Sequence, residues 1–97
     1  MFDKLKELMQ LKSRMEEIKR QLDSETVEAS SSDGSVYIKM NGSQELKELK
    51  FKTDIKSANP EKLEKAALET VNRAIKLSQQ LAAKKMGEVT GMQLPGM

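Results

Sequence analysis

Apolar residues recur along the first quarter of the chain at steps of three, four, three and four: Leu8, Leu11, Met15, Ile18 and Leu22. A seam of about 3.5-residue period predicts an amphipathic helix. Phe2, Leu5 and Met9 widen its apolar surface over the first two turns, and no proline or glycine interrupts residues 2–24. The strong helix formers Lys, Glu, Leu, Met, Gln and Arg dominate the segment. The period then changes. Thr26-Val27-Glu28-Ala29 alternates weakly as a strand, and Ser30 to Gly34 reads as a turn in which Asp33-Gly34 is a hairpin signal. Val36, Ile38 and Met40 alternate with Tyr37 and Lys39 in a second strand that Asn41-Gly42 closes. Leu46 to Thr53 supplies a third, where Leu49, Phe51 and Thr53 share a face. Leu46 is out of phase with them, which places a bulge near the start of that strand. A last helix opens on Asn59 as N-cap, Pro60 as first helical residue and Glu61 in the first turn. One of its seams is Leu63, Ala67, Thr70, Ala74, Leu77 and Leu81; an adjacent one is Leu68, Val71, Ile75, Ser78 and Ala82. Gly87 is its expected C-cap.

The order is α-β-β-β-α, which predicts an α+β fold in two layers: a three-stranded antiparallel meander with two long helices on one face. Residues 1–87 form this single domain, and residues 88–97 are expected to be a flexible C-terminal tail. The first helix spans roughly 35 Å and the last about 40 Å at 1.5 Å per residue. Strands of about six residues cover only ~20 Å. Both helices must overhang the sheet, and their apolar seams continue through the overhang. A homodimer with two-fold symmetry is the simplest way to cover them.

Composition sharpens this picture in two places. With 97 residues, 37% of them hydrophobic, a lone copy is marginal. There is no cysteine and no apolar run of signal-peptide or membrane-span length, so a cytoplasmic protein without membrane contact is expected. Charged residues make up 33% of the chain, yet the net charge is +2. Nucleic-acid affinity would have to come from the arrangement of charge and not from its excess.

Candidate chemistry is sparse. The absence of histidine and cysteine removes the commonest general base, thiol nucleophile and zinc ligands. The five glycines form no phosphate loop. Glu16-Glu17 points outward among basic residues, and Ser30-Ser31-Ser32 has no group in the sequence to activate it. Asn41-Gly42-Ser43 matches a glycosylation sequon but reads as turn chemistry. No enzyme, metal, cofactor or small-molecule substrate is expected. Charge on the first helix is read as segregated: Lys6, Lys12, Lys19 and Arg20 on one flank, Arg14 across the seam, and Asp3, Glu16, Glu17 and Asp23 opposite. A basic helix edge can lie along a phosphate backbone and release counterions. The last helix adds Lys62, Lys65, Arg73 and Lys76, then Lys84 and Lys85 near its end, where they also suit the helix dipole. The third strand offers Lys47, Lys50 and Lys52, the last two on the face opposite Phe51. No aromatic residue stands among these basic positions of the two helices, which argues against single-strand stacking. Phosphate contact and duplex shape would dominate.

Four pieces occur in order: the charged first helix with its methionine- and leucine-bearing seam, Val36-x-Ile38-x-x-Asn41-Gly42 in the meander, Val71-Asn72-Arg73-Ala74 in the long helix, and the tail Gly91-Met92-Gln93-Leu94-Pro95. Together they resemble the YbaB/EbfC family of nucleoid-associated proteins over nearly the whole chain. The resemblance implies a small bacterial homodimer whose long helices project from a central sheet like tweezer arms and bind double-stranded DNA. Here it points to Lys6, Lys12, Arg14, Lys19 and Arg20, with Arg73, Lys76, Lys84 and Lys85 as second choices. Relatives often carry Asp-Pro after the third strand; this chain keeps Asp54 without the proline. The alternative reading is a protein-interaction adaptor using the helical seams and the methionine-containing tail.

Overall fold

A computed structural model describes the backbone of residues 2–90 and the side chains of residues 3–88. The elements are α1 (Phe2–Ser24), β1 (Thr26–Ser30), β2 (Val36–Asn41), β3 (Leu46–Phe51) and α2 (Pro60–Thr90), in the predicted order. The strands form an antiparallel sheet in the order β1-β2-β3. The Cα radius of gyration is 18.3 Å and the extents are 68 × 25 × 14 Å. A compact chain of this length would have a radius near ~12.5 Å. The excess comes from helices that outrun the sheet.

α2 begins as its sequence requires. The Asn59 side-chain oxygen accepts from the backbone N–H groups of Glu61 (2.9 Å) and Lys62 (3.3 Å), so the first turn is capped. The row that α2 sets on the sheet is Ala66, Thr70, Ala74 and Ser78, all buried. They pack toward Ala29 of β1 and Val36, Ile38 and Met40 of β2. Small side chains let the helix axis come close, and the larger Leu63, Val71, Ile75 and Leu77 splay to either side, partly buried against the core. Both hydroxyls in the row are satisfied: Thr70 donates to the Ala66 carbonyl (2.6 Å) and Ser78 to the Asn41 carbonyl (2.8 Å). Thr70 and Ala74 belong to the first predicted seam and Ser78 to the second, so the contact line runs through their shared border and adds Ala66, while Leu68, assigned to the second seam, is exposed. The helix also runs through Gly87 to Thr90, because an interior glycine costs only about 1 kcal/mol relative to alanine and Glu88, Val89 and Thr90 can continue the helix. The predicted tail starts at residue 88, inside this helix, and its residues 91–97, which hold the family motif, lie outside the described residues.

β3 is the uncovered edge. A register shift between the Lys39 and Met40 pairings brings Leu46 opposite Met40, with Leu49 opposite Ile38 and Phe51 opposite Val36. The expected bulge is present, and it returns Leu46 to the helix-facing side. That side of β3 has no cover: Leu49 remains 48% and Phe51 41% exposed. α1 does not fill the gap. It meets the rest of the chain through its C-terminal turns, where Ile18 is buried and Leu22 is half-buried, and runs outward from there.

The β1–β2 turn is held by one carboxylate. Asp33 accepts from the hydroxyls of Ser31 and Ser35 (both 2.7 Å) and from the Ser35 N–H (3.0 Å), and Gly34 takes φ +75°. The Ser31 hydroxyl foremost, then Ser35, pulls the Asp33 pKa down from 3.8 to about 2. The folded state thus favours the carboxylate. Its stabilisation is present above about pH 4 and is lost as pH falls toward 2. In Asp33→Asn, the melting temperature should fall less steeply between pH 4 and pH 2 than in the parent, measured by circular dichroism. Gly34→Ala places a Cβ in open space, so its cost is backbone strain alone. A loss of about 1 kcal/mol is expected in urea unfolding.

Candidate nucleic-acid interface

Both helices leave the sheet at the same end. α1 runs toward it and α2 away from it, so they are antiparallel where they meet. Lys85 of α2 pairs with Glu25 just past α1 (2.9 Å) and is only 18% exposed. Glu88 borders a shallow cleft with Arg14, Glu17, Ile18 and Gln21. The result is an arm in which the last turns of α2 support the second half of α1. The first half of α1 continues without support from the other described residues, leaving Leu5, Leu8, Met9 and Leu11 exposed, Leu8 by 63%.

The cations predicted on α1 all lie on this arm. Lys6, Lys12, Arg14, Lys19 and Arg20 are exposed. The stretch from Lys6 to Arg20 covers roughly 21 Å at 1.5 Å per residue. Their expected segregation from acids is not kept. Lys19 lies 3.7 Å from Asp23 and Arg20 4.0 Å from Glu17, because residues three or four apart share a helix face whatever their sign. Asp23 also accepts a hydrogen bond from the Ser43 hydroxyl, which is the main cause holding its carboxyl below the usual range. Among the described residues, Lys6, Lys12 and Arg14 have no ion-pair partner.

The second-choice residues divide. Lys84 is exposed on the arm. Lys85 is on the arm as well, but its ammonium is held by Glu25, whose hydrogen bond raises the lysine pKa above its ordinary value. Lys76 is exposed on the part of α2 that overlies the sheet. Arg73, also over the sheet, donates to the Ser30 carbonyl and sits 4.0 Å from Glu69. Glu69 in turn accepts from the Ser32 N–H (2.6 Å) and hydroxyl (3.1 Å), so the pair fastens the β1–β2 turn to α2. The other sheet face carries a separate set: Lys39 pairs with Glu48 (2.9 Å), and Lys50 and Lys52 stand 5.9 and 5.0 Å from the Tyr37 ring centroid. Its charges are largely matched.

The residues missed by the sequence reading lie at the base of the arm. Asn41 is fully buried, and Gly42 contacts Leu22. The sequence marks both as a turn and as part of the family motif, but not as a contact for α1. The adjacency of Gly42 to a helix twenty residues earlier is a tertiary fact that no local pattern encodes. Among the described residues no cluster of three or more His, Cys, Asp or Glu is placed to hold a metal ion, and no helix is long and apolar enough to cross a membrane.

Residues 1–93 match the YbaB/EbfC DNA-binding family. A protein of Syntrophobacter fumaroxidans called a nucleoid-associated protein is 32% identical over 100 residues, covering 99% of this chain and 89% of the relative. One of Gluconacetobacter diazotrophicus, also called nucleoid-associated, is 35% identical and covers 94% of this chain and 87% of the relative. The crystal structure of HP0035 from Helicobacter pylori shares the fold, with a TM-score of 0.81 over 94% of this chain and 98% of that one at 17% identity.

Proposed function

The chain belongs to the YbaB/EbfC DNA-binding family, and we propose that it grips duplex DNA as a homodimer through the basic residues of its projecting α1 arms. It is a DNA-binding, nucleoid-associated protein. In this reading it binds without catalysis, works in the bacterial cytoplasm on the nucleoid, and takes neither cofactor nor small-molecule substrate. The observation that carries the proposal is the arm itself: a cation-bearing helix that leaves the sheet with its apolar seam unpartnered. The leading contacts are Lys6, Lys12 and Arg14, whose charges are uncommitted, with Lys19 and Arg20 beside them. Lys76 and Lys84 are secondary. Arg73 and Lys85 would have to leave their intrachain partners to reach a phosphate.

A second copy supplies what one chain lacks. An isolated helix of fewer than about 12–15 residues is marginal in water, and the unsupported half of α1 is about that long. Leu5, Leu8, Met9, Leu11 and Met15 on α1, and Leu46, Leu49 and Phe51 on β3, are exposed in the single chain. A two-fold partner that covers both sets stabilises the arm and completes the core together. The adaptor reading also draws on these seams, but the family match favours DNA.

Light scattering at micromolar concentration should give twice the 10.9 kDa chain mass. Leu8→Asp combined with Leu11→Asp should shift the particle toward one copy; a wild-type protein that stays single overturns the dimer. Anisotropy titration on a short duplex should show affinity that falls steeply with salt. Each phosphate contact contributes about 0.9 to the log–log slope. Lys12→Gln with Lys19→Gln should weaken binding and flatten that slope while the mass is unchanged. Identical affinity and slope would remove those residues from the interface.

A further inference from the structure

We infer that the Asn41–Gly42 turn is the socket that sets the direction of the α1 arm, and that Asn41 and Gly42 are positioning residues for DNA binding. The inference rests on the reading of α1 as the DNA-contacting element. Helix C-termini leave carbonyls without intrahelical partners. In α1 those carbonyls are met by the β2–β3 turn. The Gly42 N–H donates to the Leu22 carbonyl (2.8 Å) and to that of Glu25 (3.1 Å), and the Asn41 side-chain amide donates to the Asp23 carbonyl (3.1 Å). The Ser43 hydroxyl adds a bond to the Asp23 carboxylate.

Asn41 joins three elements at once. Its side-chain oxygen accepts from the N–H groups of Ser43 (3.0 Å) and Glu45 (2.9 Å), which closes the turn. Its amide reaches α1 at Asp23, and its main-chain carbonyl accepts from Ser78 of α2. Gly42 supplies room. The positive φ in this turn falls on Gln44 (62°), so glycine at 42 is not demanded by backbone angles. A Cβ there would lie 2.6 Å from Leu22 Cδ2 and 3.1 Å from the Leu22 Cα and carbonyl oxygen. The bare glycine lets the end of α1 seat against the turn.

Leverage makes this seat matter. From Leu22 to the start of α1 is about 30 Å at 1.5 Å per residue, so a tilt of ~10° at the socket moves the tip by ~5 Å. That exceeds the reach of an ion pair. A small change at Gly42 therefore misplaces Lys6 and Lys12 while the sheet and α2 keep their contacts.

Gly42→Ala tests this in the full chain. Spin labels at the exposed Gln10 and Gln79 report the arm against α2, and anisotropy with a short duplex reports binding. The expected result is a label distance changed by several ångströms and an affinity at least tenfold weaker, with helix and sheet content unchanged. Leu22→Ala in the same chain removes the Cδ2 clash and should restore at least half of the lost affinity on a logarithmic scale. Ser43→Ala, a milder change at the exposed rim, should broaden the distance distribution and weaken binding about threefold; it decides the matter if Gly42→Ala does not fold. A displaced arm with parental DNA affinity overturns the inference, as does a Gly42→Ala defect that Leu22→Ala leaves untouched. If the parent protein itself fails to bind DNA, the DNA reading of the arm falls, and positioning for that purpose falls with it. An unmoved label distance in Gly42→Ala refutes the socket alone.

Discussion

The seating of α2 on β1 and β2 through Ala66, Thr70, Ala74 and Ser78 is the contact from which the rest of the molecule follows. Only a row of small side chains lets a helix lie this close to a pleated surface. The row also uses up the sheet. Strands of five or six residues offer one helix width of apolar surface, and α2 takes that over β1 and β2. Among the described residues nothing covers β3, and α1 meets the body only through its C-terminal turns. The excess length of both helices is driven off one end of the sheet, where they support each other for a few turns. An elongated particle with an arm is therefore a packing consequence of where the small residues are.

The electrostatics of the arm depend on local freedom more than on sign. A net charge of +2 gives no general attraction to a polyanion. What distinguishes α1 is that several of its cations stand free on a helix that has left the body of the protein. Arg73 and Lys85 show the contrasting case: their charges are spent on Ser30, Glu69 and Glu25, where they hold elements together. Counting basic residues treats both kinds alike. Burial and partners separate a cation that binds from one that builds.

Much of the architecture was legible in the sequence because it rests on local rules. The period of the α1 seam, the Asn59-Pro60 start of α2, the Asp33-Gly34 turn and the phase slip at Leu46 each have a physical cause within a few residues. The length mismatch between helices and strands was equally visible and foretold the overhang. What could not be read was which stripe of α2 touches the sheet. Both seams mix large and small residues, and close approach selected their small members Thr70, Ala74 and Ser78, with Ala66 from outside either seam, over the leucines. The charge pattern of α1 was misjudged for a related reason: positions three and four apart fall on one face, and there Lys19 meets Asp23 and Arg20 meets Glu17. The site residues were marked by their places along the two helices and selected through the family resemblance, and composition alone would not have singled them out.

The cap at the end of α1 ties these points together. A helix C-terminus usually draws a lysine or arginine into its last turn, where the partial negative charge of the carbonyls favours it. α1 has no basic residue there. Its terminal carbonyls are satisfied instead by neutral donors, the Gly42 N–H and the Asn41 amide, brought in by the β2–β3 turn. A lysine in that place would be tethered to the helix end and lost to any ligand. With neutral donors doing the capping, the cations of α1 sit farther out, along the part that projects. The same turn is bonded to α2 through Asn41 and Ser78. The joint that terminates the helix is thus also the joint that aims it, and the core contact under α2 extends its order, one hydrogen bond at a time, to the base of the DNA-binding arm.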